Sequence, residues 1–271
     1  PGPIYPRDGE DVPVNAVISA IFSEKMDVLP TITFGTVANS VVIRDCGSGA
    51  GATDPGTETL CAGAVLGGFT FTLTTQVYNG KNVDGFKLVP LAGLNATPDI
   101  DLNPNTWYQI QLKATDDAAA IKSAIHISLN GNGSDPNTSD YIWRFHTVNN
   151  TNFGNIGCVA CQPSSYTLRE QYANDPVNVN GCSGPGDLSC KQLLGLAYDQ
   201  DHVCVELNTT GKTWTWASAN NLSVEINDKA PDTINDEDVL AVARLDTRQN
   251  PPDPVKITTT LQGKTAMCKV S

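Results

Sequence analysis

Eight cysteines are the residues of this 271-residue chain best placed to do chemistry, because thiols form disulfides, bind metals or act as nucleophiles. Cys46 and Cys61 are the only two in residues 1–150, so we predict that they pair and close the insertion between them. Closing a loop of about 15 residues stabilises a fold by about 3 kcal/mol in the chain-entropy model. An even number of cysteines, beside only three histidines, favours disulfides and an oxidising compartment.

The other six cysteines lie in residues 151–271. Cys182 and Cys190 flank a Gly-Pro-Gly turn and are predicted to pair with each other. The remaining four allow three arrangements: Cys158, Cys161, Cys204 and Cys268. Among them we expect Cys204 to pair with Cys268 or with one of the first two. The Cys-Val-Ala-Cys spacing also occurs in redox and zinc motifs, but the helix start or second ligand pair that those motifs need is not predicted nearby, so we predict structural disulfides.

Calcium is the one metal that the acidic residues could hold, because hard cations take several carboxylate and carbonyl oxygens from a loop. Asp199 and Asp201 are the weak calcium candidates. Two more clusters have a similar composition: Asp99/Asp101 and Asp236/Glu237/Asp238. None matches a defined calcium loop, and carboxylates that cap turns account for all three. We therefore predict no cofactor.

Catalytic motifs are absent from the sequence. It contains no Gly-x-Ser-x-Gly elbow, no His-Glu-x-x-His helix and no phosphate-binding glycine loop, and its histidines are His126, His146 and His202. The many Asp and Glu residues are typical of turns, so a glycosidase pair of carboxylates is a weak interpretation. The chain is predicted not to be an enzyme.

Net charge limits the partners. The chain carries a formal charge of −12, and both halves are acidic. Phosphate backbones and anionic lipid would repel it, so nucleic acid is excluded as a partner. No apolar run is long enough to span a membrane, and no charged-then-apolar leader follows Pro1, so we expect any signal peptide to have been removed or to lie outside this sequence.

Short strands are the elements that must position these residues. Phe69, Phe71 and Leu73 alternate with threonines, as in a strand with one buried face. The predicted strands of the first half are 16–23, 31–37, 40–46, 69–77, 86–90, 107–114 and 141–148, after a turn segment at 6–15 and with one short helix at 116–123. Those of the second half are 158–166, 191–198, 203–207, 213–218, 222–226, 239–243, 255–260 and 266–270. The length predicts two all-β domains, 1–150 and 151–271.

Both halves resemble known families. Phe22-Ser23-Glu24-Lys25-Met26-Asp27, the segment Leu102 to Ile110, and Trp143 to Thr147 are similar to motifs of the SbsA-type (Big_5) bacterial Ig-like domain. In the second half, Gln162 to Leu168, Thr213 to Asn220 and Lys256 to Thr260 resemble a Big_2-type bacterial Ig-like domain. The resemblance implies two tandem immunoglobulin-like β-sandwiches, used as modules of exported surface proteins.

Immunoglobulin-like cores bury a tryptophan, which decides between two interpretations of Trp214 and Trp216. Spaced by two, these side chains share one strand face, as a core pair or as a sugar-stacking platform, and we predict the core pair. The predicted core residues are Phe22, Met26, Tyr108, Phe145, Trp214 and Trp216.

The leading functional hypothesis is a non-enzymatic, structural or adhesive module of a bacterial-type surface or secreted protein. The alternatives are a filament or sheath subunit that assembles by edge-strand or terminal-strand pairing, and an accessory carbohydrate-binding module of a secreted enzyme. Expected partners are other Ig-like domains or copies of itself, or a surface glycan or protein, with no membrane insertion. The expected location is extracellular or on the cell surface.

Overall fold

A computed structural model describes residues 4–26, 32–48, 53–57, 59–91, 102–114, 120–125, 127–132, 140–148, 154–166, 190–202, 205–221, 224–227, 238–243 and 254–270. Every regular element in these ranges is a β-strand, which confirms the all-β prediction. The strands are β1 (Ile4–Tyr5), β2 (Glu10–Val12), β3 (Ile18–Ile21), β4 (Val41–Ser48), β5 (Ala64–Val65), β6 (Phe69–Tyr78), β7 (Lys81–Pro90), β8 (Thr106–Leu112), β9 (Tyr141–Thr147), β10 (Ile156–Gln162), β11 (Ser165–Tyr166), β12 (Cys190–Asp199), β13 (Glu206–Leu207), β14 (Thr215–Ser218), β15 (Val224–Asn227), β16 (Asp238–Ala243), β17 (Val255–Leu261) and β18 (Lys264–Val270).

The chain divides into two compact units. Unit 1 comprises Pro1–Gly154 together with Cys204–Asn208, and unit 2 comprises Asn155–Val203 and Thr209–Ser271. The predicted domains, 1–150 and 151–271, stay predictions, and they differ from the units in where they place Cys204–Asn208.

Unit 1 is built from two sheets. One has the strand order β1-β3-β7-β6 and the other the order β2-β9-β8-β4-β5. Neighbouring strands are antiparallel except β2 and β9, which are parallel. The chain therefore enters one sheet as β1 and crosses to the other as β2, which is how a sandwich joins its two layers at an edge.

Alternation along β8 and β9 gives the second sheet its buried face. Tyr108 and Ile110 on β8 and Trp143 and Phe145 on β9 are fully buried in one apolar core. The rings of Tyr108 and Phe145 stack with their centroids 5.2 Å apart. The core residues predicted for the first half are all buried: Phe22, Met26, Tyr108 and Phe145.

The segment 205–208 falls within unit 1, and its residues Glu206–Leu207 form β13 inside the predicted strand 203–207. Val205 is fully buried in the core of unit 1. The Val17 N–H donates to the Glu206 carbonyl at 2.8 Å, and the Asn208 N–H donates to the Asn15 carbonyl at 2.8 Å. The local alternation pattern does not show which core receives Val205.

Unit 2 repeats the two-sheet plan. Its sheets have the orders β10-β12-β16-β15 and β11-β18-β17-β14. As in unit 1, two successive strands near the start of the unit enter different sheets: β10 pairs antiparallel with β12, and β11 pairs parallel with β18. Leu193, Val239, Ile257 and Val270 are among the residues that fill the core between the sheets.

Three local predictions for the first half were wrong in part. Residues 6–15, predicted as a turn segment, contain β2, which is too short to show alternation. Within 31–37, the described residues form no strand, and only Phe34 makes an isolated bridge, to Val41. Of the predicted helix 116–123, residues 120–123 are not helical, and the rest lies outside the described residues.

Candidate functional site

The outer face of the second sheet of unit 1 carries the polar side chains that alternate with the core residues. Gln109 and Gln111 lie on β8, and Arg144 and His146 lie on β9. The pairing register places Gln109 opposite Arg144. A polar row of this kind would ordinarily face water, but Gln109 is 0 % exposed.

A covering segment explains the burial of Gln109. Residues 53–57 and 59–61, which we call the strap, lie in the insertion that the Cys46–Cys61 disulfide closes. The Gln109 side-chain amide donates to the carbonyl oxygens of Gly56 at 3.0 Å and Thr59 at 2.9 Å. Its Oε1 accepts from the Cys61 N–H at 2.9 Å. One buried side chain thus pairs with three backbone groups of the strap.

Arg144 holds the strap from the neighbouring strand. Its guanidinium binds Asp54 of the strap through both carboxylate oxygens, with Nη2 to Oδ2 at 2.9 Å, and binds Asp8 through Nη1. The hydrogen bond from Arg144 lowers the pKa of Asp54 below its ordinary value of 3.8. Hydrogen bonds to Asp54 and Asp8 raise the pKa of Arg144. This paired, fork-shaped geometry clamps the strap and the β1–β2 turn to β9.

An aromatic and imidazole pair lies next to this clamp. The Trp107 and His146 ring centroids are 4.9 Å apart, and Arg144 Cζ lies 6.0 Å from the Trp107 ring. His146 Nδ1 contacts Asp11 Oδ1 at 2.8 Å. The arrangement orients the imidazole and provides a partly exposed polar and aromatic patch that a ligand or a protein could contact.

Two disulfides cross-link the described residues. Cys46 pairs with Cys61, Cα to Cα 5.7 Å, and Cys161 pairs with Cys268, Cα to Cα 5.6 Å. The second bond joins β10 to β18, which lie in opposite sheets of unit 2. Because Cys161 takes Cys268, the alternative in which Cys204 pairs with Cys268 is excluded. The other alternative, in which Cys204 pairs with one of the first two, stays a prediction. Sequence spacing cannot show which side chains face each other across a sandwich.

The remaining cysteines are only partly described. Cys158 is exposed and forms no disulfide with a described cysteine. Cys182 and Cys204 lie outside the described residues. Pairing of Cys182 with Cys190, and of Cys204 with Cys158, therefore stays a prediction.

The calcium candidates lie at the end of β12, where the Asp199 side chain accepts hydrogen bonds from the backbone that follows. Its Oδ2 accepts from the N–H of Asp201 at 3.1 Å and of His202 at 3.0 Å, and contacts His202 Nδ1 at 2.5 Å. The Asp199 side chain is buried, whereas Asp201 is exposed. In the described part of the chain, no three His, Cys, Asp or Glu residues are grouped to hold a metal. Of the other acidic clusters, Asp238 begins β16 and the rest lie outside the described residues.

The tryptophan pair of unit 2 faces inward. Trp214 is fully buried and Trp216 is partly buried, with ring centroids 6.5 Å apart in a stacked orientation. Trp214 Nε1 donates to Thr209 Oγ1 at 3.3 Å. The core interpretation is confirmed for Trp214, whereas Trp216 packs against the core but is only partly buried.

A buried tyrosine contact lies near the start of β8 in unit 1. Tyr108, near the start of β8, accepts a hydrogen bond at its hydroxyl from the Asn103 N–H, five residues upstream, at 2.8 Å. Burial raises the pKa of this phenol. A tyrosine that ties a strand start to the upstream backbone, between two facing antiparallel sheets, is a feature of immunoglobulin-like sandwiches. The chain is therefore a disulfide-stabilised tandem of immunoglobulin-like β-sandwiches.

Comparisons with solved structures find three multi-domain chains of low similarity to this one. Domains 5–6 of the S-layer protein SbsC align over 99% of this chain and 95% of that one, with 10% identity and a TM-score of 0.38. The titin Ig tandem A164–A165 aligns over 99% and 95%, with 10% identity and a TM-score of 0.22. The tandem Ig repeats of Dlar align over 99% and 97%, with 9% identity and a TM-score of 0.21. The fold assignment rests on the sheet topology described above.

No family model and no curated protein matches the chain. Membership of the SbsA-type and Big_2-type families therefore stays a prediction. Among the described residues, no helix is long and apolar enough to cross a membrane.

Proposed function

We propose that this chain is a non-enzymatic, structural or adhesive module of an extracellular or cell-surface protein of bacterial type. The observation that carries the proposal is the strap, which a disulfide closes and which Gln109 and Arg144 hold against a sheet. A disulfide persists in an oxidising compartment, so the Cys46–Cys61 bond favours a location outside the cytosol.

The use made of the polar side chains also supports a structural role. Arg144 is occupied by two carboxylates, and Asp199 caps a turn. Asp84, buried on β7, accepts from the Met26 N–H at 2.8 Å and from Thr75 Oγ1 at 3.1 Å. These charged side chains are used to stabilise the fold, as expected of a structural module. Binding to a partner would then use the surface of the sandwich.

The location is tested in the cells that make the protein. Intact cells are treated with a membrane-impermeant protease, and the released peptides are mapped without reduction. We expect peptides of this chain to be released from intact cells with the Cys46–Cys61 and Cys161–Cys268 bonds in place. Recovery of the chain only from the cytosol, with these thiols reduced, would overturn the proposal.

The structural or adhesive role needs a second measurement. A strain that lacks the chain is compared with its parent for envelope integrity and for attachment to surfaces, and purified chain is added as a competitor. We expect a loss of one of these properties in the deletion strain. A deletion strain that matches its parent in both would count against the role, whatever the location.

A further inference from the structure

Strand β6 ends its sheet and is the longest edge strand among the described residues. It pairs with β7 over ten consecutive residues, from Phe69 opposite Pro90 to Tyr78 opposite Lys81, without a shift in register. No described strand pairs with its other side. An edge of this length exposes a row of unpaired backbone groups.

The hairpin turn fixes which backbone groups face outward. Asn79 and Gly80 have φ values of 50° and 74°, as in a two-residue type I′ turn, whose closing pair is hydrogen-bonded. In an antiparallel ladder, bonded and non-bonded pairs alternate from that point. Even-numbered residues of β6 therefore bond to β7. The N–H and C=O groups of four odd-numbered residues point away from it: Phe71, Leu73, Thr75 and Val77.

Two independent facts agree with this assignment. Pro90, which has no N–H, lies opposite Phe69, where the alternation requires no bond. One step further along, the Leu91 N–H donates to the Gly68 carbonyl at 3.0 Å, where the alternation requires a bond. The outward direction of the Leu73 and Thr75 backbone groups follows from the same alternation.

The protective devices that a strand's own sequence and ladder can supply are missing from β6. Its ten residues, Phe-Thr-Phe-Thr-Leu-Thr-Thr-Gln-Val-Tyr, contain no charge and no proline, and its ladder contains no bulge. Leu73 is 41% exposed at the middle of the strand. The other described edge strands are short, with two to four residues in β1, β2, β5, β11, β14 and β15, and β10 carries a register shift.

We propose that β6 is a self-association strand, which pairs antiparallel with β6 of a second copy about a two-fold axis at Leu73. Leu73 then lies opposite the partner's Leu73, Phe71 lies opposite the partner's Thr75, and Thr75 lies opposite the partner's Phe71. These three pairs exchange about six backbone hydrogen bonds, because all of these residues present outward groups. The two four-stranded sheets become one continuous sheet.

Charge and length favour a second copy as the occupant. The chain carries a formal charge of −12, so two copies approach with least repulsion along a strand that has no charge of its own. A partner strand must also match ten residues and have an unpaired side. Among the described strands of this chain, β6 alone has both. A two-fold contact of this kind closes on itself and gives a dimer rather than a filament.

The test is the mass of the full 271-residue chain in solution, by sedimentation equilibrium over a concentration series. We expect a monomer–dimer equilibrium with a dissociation constant below about 0.1 mM. Leu73→Lys places two charges opposite each other on the axis and should raise that constant at least about tenfold. The matched control is Met267→Lys, at a residue 51% exposed in unit 2, which should leave it unchanged.

A second pair of variants tests the backbone bonds themselves. Thr75→Pro removes an outward N–H without breaking the β7 ladder, and Thr75→Val loses the same hydroxyl but keeps the N–H. We expect Thr75→Pro to be monomeric and Thr75→Val to dimerise, with both showing the same β-rich circular dichroism spectrum. A wild-type monomer at about 0.1 mM, a dimer indifferent to Leu73→Lys and Thr75→Pro, or open-ended polymers would each overturn the proposal.

The biological meaning of this contact rests on the proposed surface function, but its test does not. Dimerisation is measured on purified chain, whereas the surface location is measured on intact cells. A monomeric chain found on the cell surface refutes the pairing alone. A dimeric chain found reduced in the cytosol refutes the location alone.

Discussion

Replacing Gln109 by methionine tests how the strap is held. Methionine keeps the length of the side chain but removes the amide, so the backbone groups of Gly56, Thr59 and Cys61 lose their partner. A hydrogen bond contributes about 1 kcal/mol net, so three bonds give about 3 kcal/mol. The Cys46–Cys61 disulfide contributes a similar amount, about 3 kcal/mol for a loop of this size. The amide should therefore matter about as much as the covalent bond.

Hydrogen exchange of the Cys61 amide reads this effect directly, because that N–H donates to Gln109. A loss of about 3 kcal/mol from the local opening equilibrium corresponds to exchange about a hundredfold faster. The matched control is Gln111→Met on the same outer face of β8, where the side chain donates to Asp140 and not to the strap. That variant should leave the exchange of Cys61 unchanged.

A combined variant separates the contribution of the Cys46–Cys61 disulfide from that of Gln109. Cys46→Ser with Cys61→Ser should speed exchange across the strap, and adding Gln109→Met should speed it by less than the sum of the separate effects, because both hold the same segment. If Gln109→Met and Gln111→Met gave equal exchange at Cys61, the strap would not be held by Gln109. The structural account of this face would then be wrong.

Three further perturbations are predicted. Tyr108→Phe leaves the Asn103 N–H without its partner and should lower the free energy of unfolding by about 1 to 3 kcal/mol, measured in urea; an unchanged midpoint would contradict the contact. Gly195→Ala places a Cβ 2.7 Å from Trp214 Cζ3 and should cost about 1 to 3 kcal/mol by calorimetry, whereas a neutral result would mean that the ring is not packed there. Folding lowers the pKa of Asp54 below 3.8, so its contact with Arg144 stabilises the strap fully above pH 3.8 and is lost as the pH falls through the lower folded pKa. Proteolysis of the strap should therefore increase at acid pH in the wild type. In Asp54→Asn, acid pH should cause no further increase.

Regular alternation made most strands predictable from sequence. The predicted strand 69–77 corresponds to β6, Phe69–Tyr78, because one buried face requires a period of two over many residues. Strand β2 was hidden because three residues, two of them acidic, carry no period. It forms because β9 offers a parallel partner, which no local pattern reveals.

Long-range contacts set the limit for the candidate site. The sequence places Gln109 on the solvent-exposed face of a strand. The strap covers this face, so the Gln109 side chain becomes buried and hydrogen-bonded. The choice of Cys268 as partner for Cys161 depends on the facing of two sheets. Val205 likewise looks like part of the nearest strand set but fills the core of unit 1. In each case the outcome depends on a segment that is distant in sequence and packs against the residue only in the folded chain.

The sheet face covered by the strap and the edge strand β6 of unit 1 differ in how far they are closed to a partner. The outer face of one sheet is closed by a disulfide, by Gln109 and by Arg144. In the other sheet, β1 takes the edge beside β3, while no described strand pairs with the outer side of β6, whose Leu73 is exposed. A surface that is covalently closed resists unfolding and cleavage, whereas an open, uncharged edge favours strand pairing. Pairing with a second copy should therefore take place along β6, while the face covered by the strap resists unfolding and cleavage.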